Sequence, residues 1–204
     1  EKQTLVRFRI DGILHDAGRI PREHHDSLIN RIKVLSKLRT DEHKEIQDEL
    51  KKWLLKSPQP STGLHWLKET QALHLFPELA AMIGIPQNPE FHPEGDVWVH
   101  TGHVLNAAVQ WKTGDPHHDW IVMLSALLHD CGKPDTTKFE EKRGVSAWRS
   151  RCHDQVGGIV ARRFLNRITS ESHIIDTVIQ LVRAHMRPGQ LLHEPISDSK
   201  KNAD

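Results

Sequence analysis

Apolar residues in the second half of the chain recur at helical spacing and predict four helices. The second of these helices, over residues 119–130, is almost entirely apolar and ends in His129 and Asp130. A helix that is apolar on most of its faces belongs in the centre of a core. The others are expected at about 96–112, 153–168 and 171–186, with a loop over about 131–149. The pattern therefore predicts a mainly helical bundle with an ionisable pair at the edge of its core.

The other three predicted helices each carry a histidine on their apolar side. His153 opens the apolar stripe of the third helix, and His185 closes that of the fourth. The stripe of the first helix comprises Val97, His100, Val104, Ala108 and Trp111. A single histidine in such a position is more often a hydrogen-bonded core residue than a ligand. Four helices that each deliver a histidine inward, one with an adjacent aspartate, favour a metal site between facing helices.

The first 45 residues follow a different pattern and predict a small appendage. Residues 5–10 alternate apolar and basic side chains, as a half-buried strand does. Asp11 and Gly12 are a turn signal, so we expect a short hairpin within residues 4–16 and a helix opened by Pro21. From about residue 42 the spacing is helical again, and a proline-rich loop over 86–95 holds His92 and Glu94. Two parts are therefore expected, an αβ appendage over residues 1–45 and a helical domain over 46–204.

Composition narrows the class of protein without identifying a partner. Of the 204 residues, 37% are hydrophobic and 27% are charged, which is typical of a globular protein. No apolar run is long enough to cross a membrane, and no signal-peptide pattern opens the sequence. The two cysteines, Cys131 and Cys152, form no disulfide framework, so we expect a cytoplasmic protein. A net charge of +1 argues against bulk attraction to nucleic acid, whereas 16 histidines strengthen the metal hypothesis.

Several segments around the histidines resemble one protein family. His100, followed by His129 and Asp130 and then by a later aspartate, resembles the H…HD…D pattern of HD-domain metal-dependent phosphohydrolases. The similarity is closer still to the HD region of bacterial CCA-adding tRNA nucleotidyltransferases, over about residues 45–198. It rests on residues 86–101 (PQNPEFHPEGDVWVHT), 127–134 (LLHDCGKP), 153–157 (HDQVG) and 185–188 (HMRP). One departure is Cys152, which stands where a glycine is usual.

The resemblance implies a ligand set for one or two divalent ions, namely Mn, Ni, Co, Fe or Zn, or Mg. The ligands that it implies are His100, His129, Asp130, His153, His185 and Asp198. Asp176, on the fourth predicted helix, competes with Asp198 for the last position.

Catalysis and substrate binding are expected from basic and acidic residues beside the ligands. A bound divalent metal would activate water for attack on phosphorus. The resemblance gives Lys133 the role of meeting substrate phosphate, and Asp130 would also orient the nucleophile. Residues 133–167 carry nine Lys and Arg against four Asp and Glu, a local excess of five positive charges that suits a polyanionic substrate. Lys133, Arg149 and Arg151 are therefore the expected substrate-binding residues, although a solvated basic surface would give the same count.

The resemblance leaves two functions open for the helical domain. The first is hydrolysis of a phosphoester in a nucleotide or at an RNA end, by phosphodiesterase or phosphatase chemistry, with tRNA among the partners implied. The second is a non-catalytic RNA-binding or scaffold module. CCA addition itself is not expected, because the residues before 45 offer no room for a nucleotidyltransferase domain.

A third function is suggested by the appendage. Residues 6–15 (VRFRIDGILH) and 31–38 (RIKVLSKL) resemble the N-terminal region of type II and type IV secretion ATPases. The chain would then be an interaction fragment of a secretion machine. No phosphate-binding G-x-x-x-x-G-K-[ST] loop occurs in the sequence, so ATPase activity is not implied.

Overall fold

The computed structural model describes residues 3–10, 13–21, 42–142 and 144–187, with side chains described from residue 46 onward. Helices dominate these residues and short hairpins accompany them, so the predicted mainly helical fold is confirmed. The elements are β1 (Gln3–Ile10), β2 (Ile13–Pro21), α1 (Glu42–Lys56), α2 (Ser61–Glu69), α3 (Pro77–Ala80), α4 (Val97–Ala108), α5 (Pro116–Leu128), α6 (Lys133–Thr136), β3 (Thr137–Lys142), β4 (Val145–Ser150), α7 (His153–Asn166) and α8 (Ser172–Ala184). None of the helices described here has the length and apolar character needed to cross a bilayer.

Helix α5 forms the centre of the core, as its apolar sequence predicts. Its start is fixed because Pro116 occupies the first turn and the Asp115 carboxylate accepts the His117 N–H. The helix packs against α1, α4 and α8. Its almost fully buried side chains are Trp120, Met123, Leu124, Leu127 and Leu128. Burial on several faces leaves only the ends of α5 to carry polar chemistry.

Helices α7 and α8 pack against each other, and α8 also packs against α5. Phe164 of α7 and Val178 and Val182 of α8 are fully buried, as the periodicity predicts. His153 is the first residue of α7, and His185 directly follows the end of α8. The packing therefore brings two helix ends towards the last residues of α5.

The buried side of α4 differs in part from the predicted stripe. Ala108 is buried as expected, but Leu105 faces the core and Val104 is only half-buried. Trp111 is 69% exposed. The reason is that α4 ends at Ala108 and the chain continues as a 3₁₀ turn over Val109–Trp111. The tighter winding of that turn moves the later side chains off the helical stripe.

The loop predicted over about 131–149 contains two elements that the pattern did not reveal. Helix α6 is a single turn, and β3 and β4 form an antiparallel hairpin in which Thr137 lies opposite Ser150 and Lys142 opposite Val145. Gly144, at the turn, has a φ of 75°, which glycine adopts without steric cost. Both faces of this hairpin are largely exposed and carry charged residues. An alternation of apolar and polar residues is therefore absent, although such alternation is what usually identifies a strand.

The N-terminal hairpin is longer than predicted. Strands β1 and β2 pair antiparallel from Gln3 opposite Pro21 to Ile10 opposite Ile13, so the hairpin is not confined to residues 4–16. Pro21 is the last residue of β2, a strand-end position at which a proline is tolerated. The helix predicted after Pro21 lies outside the described residues. The division of the chain at residue 45 stays a prediction.

An ion pair joins α3 to the end of α7. Arg167 donates from its two terminal nitrogens to the two carboxylate oxygens of Glu78, at 2.7 and 2.5 Å. The Glu78 side chain is only 8% exposed. Burial alone would raise the pKa of Glu78, but the hydrogen bonds and charge of Arg167 outweigh it and hold that pKa below its usual value.

We expect Glu78→Gln to lower the free energy of unfolding at neutral pH by about 1–3 kcal/mol, because a largely buried charged hydrogen-bond pair is broken. The folded pKa of Glu78 is lowered, so its contribution is complete above the unfolded pKa of about 4.3 and is lost as the pH falls through the folded pKa. Urea unfolding at neutral and acidic pH should therefore show the wild type and variant converging in acid.

The matched control is Asp176→Asn, which breaks an exposed pair with Arg162 whose side chains are 57% and 54% exposed. That change should cost less than about 1 kcal/mol. Equal losses in the two variants would contradict a stabilising role for the Glu78 pair.

Candidate metal centre

The carboxylate of Asp130 lies at the centre of four histidines. Its Oδ2 is 3.2 Å from His129 Nε2 and 3.8 Å from His100 Nε2. Its Oδ1 is 3.3 Å from His153 Nε2 and 3.7 Å from His185 Nε2. Asp130 is only 2% exposed, and an ionised carboxylate buried to that extent needs compensating charge. The structure therefore brings together five of the six residues that the sequence pattern proposes as ligands.

Each of these side chains sits at or next to a helix end. The carboxylate of Asp96 accepts the Val99 N–H and starts α4, which places His100 in the first turn. His129 directly follows α5, and Asp130 comes next in the chain. The helix packing described above supplies the other two histidines from the start of α7 and the end of α8.

The orientation of three histidine rings is set by main-chain carbonyl oxygens. Each ring bonds through Nδ1 to the residue three positions earlier: His129 to Ala126 (2.9 Å), His153 to Ser150 (2.7 Å) and His185 to Val182 (2.6 Å). A carbonyl oxygen only accepts, so Nδ1 carries the proton and, in a neutral ring, Nε2 presents a lone pair. These lone pairs all point towards the Asp130 carboxylate.

The converging lone pairs fit a divalent cation. His153 Nε2 and His185 Nε2 are 3.1 Å apart, and the buried His129 Nε2 has no hydrogen-bond partner in the part of the chain that the structure describes. Lone pairs directed at one another and at a carboxylate repel, whereas a metal ion between them would satisfy all of them. The ligand atoms form two groups, each within 4.8 Å, and Asp130 belongs to both. The donor set therefore fits one ion, or two ions that share Asp130.

The Glu94 carboxylate orients His100, whereas main-chain carbonyl oxygens hold the other three clustered histidines. Glu94 Oε1 accepts from His100 Nδ1 at 2.6 Å and contacts His92 Nδ1 at 3.1 Å. A carboxylate bound to one ring nitrogen fixes the tautomer and turns the other nitrogen to the metal. The nitrogen and oxygen atoms of His92, Glu94 and His100 that could bind a metal also lie within 4.8 Å of one another. Hydrogen bonds through both Nδ1 atoms account for that proximity.

Lys133 is buried beside the Asp130 carboxylate. It is 6% exposed, and its Nζ lies 2.8 Å from Asp130 Oδ2 and donates to Gln87 Oε1. The amide nitrogen of Gln87 is buried and has no partner among the described residues. Lys133 therefore supplies one full positive charge next to Asp130 and is held there by Gln87.

The surroundings favour the charge states that bind metal. Burial alone would raise the pKa of Asp130, but the polar surroundings of the carboxylate, including the positive charge of Lys133, outweigh burial and hold that pKa well below its usual range. Burial lowers the pKa of His100, and the neighbouring His129 lowers it further. Burial also lowers the pKa of His185, which follows α8. An ionised carboxylate and neutral imidazoles are the forms that bind a transition metal.

Close packing between α6 and α7 depends on Gly132. A Cβ atom at this position would overlap the His153 carbonyl oxygen and the Gly157 nitrogen, which are main-chain atoms of α7. The neighbouring Cys131 donates its thiol to the Gly157 carbonyl at 3.4 Å. Burial raises the pKa of the Cys131 thiol, so this residue offers no thiolate to the site.

The remaining predicted site residues have different positions. Asp198 lies outside the described residues, and its role as a ligand stays a prediction. Asp176 is exposed and paired with Arg162 at 3.0 Å, so the structure does not bring it to the cluster. Arg151 pairs with Glu140 at 2.9 Å. Arg149 lies on β4.

Sequence reasoning missed the roles of Glu94 and Gln87. Both belong to the proline-rich loop before α4, where no helical or strand period predicts which side chains point inward. Only closeness in sequence could have pointed to Glu94, which precedes His100 by six residues in a loop that also carries His92. Polar side chains so close to a ligand candidate are candidates for the contacts that orient it.

Comparisons with known proteins bear on this site. The family model described as HD domain matches residues 97–202. A "Multifunctional CCA protein" of Stenotrophomonas maltophilia is 36% identical over 137 residues, covering 59% of this chain and 32% of that protein. The "CC-adding tRNA nucleotidyltransferase" of Thermus thermophilus is 33% identical over 142 residues, covering 69% of this chain and 31% of its own length.

The matches confirm the predicted resemblance to HD domains and to CCA-adding enzymes, but only over part of each relative. The chain spans about a third of the length of these relatives. No solved structure is significantly similar to the chain. The family match begins at residue 97, so the resemblance of residues 1–45 to secretion ATPases stays a prediction.

We expect His129→Ala to remove most of the bound metal, because it deletes a candidate ligand beside the central Asp130. The matched control is His103→Ala, on the same helix as His100 but with an exposed side chain. Elemental analysis of both variants and of the wild type, purified without added metal and after loading, measures the difference. Equal metal contents in all three proteins would rule out the site.

Cys152, the residue before His153, has a φ of 58°. This left-handed conformation is unfavourable for a residue with a Cβ atom and free for glycine. The backbone therefore gives a physical reason why a glycine is usual here in the family that the sequence resembles.

We expect Cys152→Gly to raise the free energy of unfolding by about 0.5–1 kcal/mol, because it relieves the unfavourable conformation. Cys152→Ser removes the thiol but keeps the Cβ atom, so it should bring no such gain. Denaturant unfolding of the three proteins under reducing conditions measures the effect. A gain of the same size in Cys152→Ser would show that the thiol, and not the backbone, is responsible.

Proposed function

Because the chain belongs to the HD domain family, we propose that it is a metal-dependent phosphohydrolase acting on a phosphoester of a nucleotide or of an RNA end. The observation that carries the proposal is the convergence of four histidine Nε2 atoms on the buried Asp130 carboxylate. Imidazoles and a carboxylate suit Mn, Fe, Co, Ni or Zn, whereas Mg prefers oxygen ligands. One or two transition-metal ions are therefore the favoured cofactor.

The residues that would hold the metal are His100, His129, Asp130, His153 and His185, with Asp198 as the proposed final ligand. A divalent ion bound there would supply an activated water near neutral pH and a positive charge for the phosphoryl oxygens. The protein fixes the ligand geometry in advance, because each ring is already held through its Nδ1 atom. Asp130 would also accept a hydrogen bond from the attacking water and so orient it.

The proposed role of Lys133 in the reaction is electrostatic. Its ammonium group is fixed between Asp130 and Gln87, next to the place where a phosphate oxygen would lie. A positive charge that is already in position stabilises developing negative charge without reorganisation. Since Lys133 is buried, we propose that it acts on phosphate within the site and that capture of substrate from solution falls to more exposed cations.

The relatives support RNA as the substrate class, because one of them is named a tRNA nucleotidyltransferase. The tRNA end is therefore the RNA partner that we propose. A non-catalytic RNA-binding module is the second candidate, and the same named relative favours it.

The experiment that tests the proposal measures hydrolysis of bis-p-nitrophenyl phosphate and of 2′,3′-cyclic nucleotides with Mn, Ni, Co, Zn or Mg added in turn. His129→Ala should lose both metal and turnover. Lys133→Ala should keep metal and lose turnover by about 10²–10³-fold, as expected for removal of one electrostatic stabiliser. His103→Ala should resemble the wild type in both respects.

Two outcomes would change the conclusion. If the metal-loaded wild type hydrolyses no substrate faster than His129→Ala, the non-catalytic RNA-binding module replaces the enzyme. If Lys133→Ala loses metal together with turnover, the lysine supports the ligands and does not act on phosphate. Thermal unfolding of each variant separates both outcomes from a general loss of structure.

A further inference from the structure

The β3–β4 hairpin exposes two aromatic side chains close to the metal centre. Phe139 is 59% exposed and Trp148 is 37% exposed. They lie opposite each other in the strand register, and their rings meet edge to face with centroids 5.1 Å apart. A cross-strand aromatic pair stabilises a hairpin, but rings left this exposed also offer an apolar surface that a partner can cover.

One opposed pair of residues separates the aromatic pair from the candidate metal centre. The next opposed pair on the same face of the hairpin is Thr137 and Ser150, whose side-chain oxygens are 2.8 Å apart. Thr137 donates to the Lys133 carbonyl at 2.7 Å, and the Ser150 carbonyl accepts from His153 Nδ1. Residues two apart on a strand are separated by about 7 Å. The rings therefore lie about one pleat away from residues that contact Lys133 and His153.

The other face of the hairpin carries uncompensated positive charge. Lys138 lies opposite Arg149, and Lys142 is the next basic residue on that face. None of these three pairs with a carboxylate among the described residues, whereas Arg151 is held by Glu140. Within the same part of the chain, the Arg149 Nε atom is buried and has no hydrogen-bond partner, so only the terminal nitrogens of Arg149 are offered to a phosphate. Two strands are only about 4.8 Å apart, so long basic side chains reach the edges of the ribbon.

We propose that this hairpin is a docking surface for a single-stranded RNA end. Bases would stack on Phe139 and Trp148, and the flanking phosphates would be neutralised by Lys138, Lys142 and Arg149. Exposed rings combined with positive charge are the features that bind single strands, because every base has a face that can stack. Bases of a duplex are already stacked and cannot lie on a protein ring. Delivery of the terminal phosphoester into the metal centre rests on the proposed function, whereas binding to the hairpin does not.

Binding is tested with a fluorescein-labelled hexaribonucleotide by anisotropy, on the whole 204-residue chain carrying His129→Ala, in EDTA so that no turnover occurs. Phe139→Ala and Trp148→Ala should each raise Kd about tenfold or more, since stacking of one base is lost. Trp148→Phe should restore most of the affinity. Trp111→Ala removes an aromatic side chain that is 69% exposed on another part of the surface, and it should leave Kd unchanged.

The charge contribution is tested by salt dependence. Lys138→Ala and Arg149→Ala should each reduce the slope of log K against log salt by about 0.7, the value for one phosphate contact on a single strand. A hexadeoxyribonucleotide distinguishes recognition of RNA from recognition of any single strand. Comparable binding of a hexamer duplex would overturn the proposal. So would equal Kd values for the His129→Ala protein with and without Phe139→Ala or Trp148→Ala.

Turnover provides an independent measurement if the chain proves to be a hydrolase. On a hexaribonucleotide with a 2′,3′-cyclic phosphate end, Phe139→Ala should raise KM with little change in kcat. On a cyclic mononucleotide both constants should stay close to those of the wild type. A lowered unfolding temperature with unchanged Kd and KM would mean that the aromatic pair is only structural. Absence of hydrolysis in every protein would count against the proposed function and leave the binding result intact.

Discussion

The burial of one carboxylate is the constraint on which the rest of this structure depends. Asp130 is almost completely removed from solvent, and a buried ionised carboxylate is tolerated only when positive charge or metal compensates it. Lys133 supplies one positive charge, and its other contact is an uncharged amide. The four imidazoles around the carboxylate contribute lone pairs when they are neutral. The chemistry of the donor set therefore calls for a cation in addition to Lys133.

The residues around the buried carboxylate all lie at or next to helix ends. The side chains around Asp130 come from the start of α4, the end of α5, the start of α7 and the end of α8. Helix ends leave carbonyl oxygens free, and those of Ala126 and Val182 hold the rings of His129 and His185. The ring of His153 is held by the carbonyl of Ser150, the last residue of β4. The contact of Gly132 with the main chain of α7 brings two of the ends together. The contacts that pack the helices therefore also position the clustered side chains.

The helical core and the clustered histidines were predictable from the helical period, and Asp130 because it adjoins His129. An apolar stripe shows which side of a helix is buried, and a histidine such as His185 within that stripe must point inward. The contacts of Glu94 and Gln87 were not predictable, since the loop that holds them has no period. The β3–β4 hairpin escaped prediction for a related reason, because its exposed faces show no alternation. Periodic apolar positions indicate which faces of an element are buried, so an element with few buried residues has no recognisable pattern in the sequence.

The separation of the clustered side chains along the chain has a thermodynamic consequence. His100 and His185 are 85 positions apart in sequence, so only the folded chain assembles the whole donor set. A divalent ion would then bind the folded state and largely ignore the unfolded one. The free energy of unfolding would rise with the logarithm of the free metal concentration, by about 1.4 kcal/mol for each tenfold increase above Kd. The stability of this protein would thus depend on the supply of metal in its surroundings as well as on its sequence.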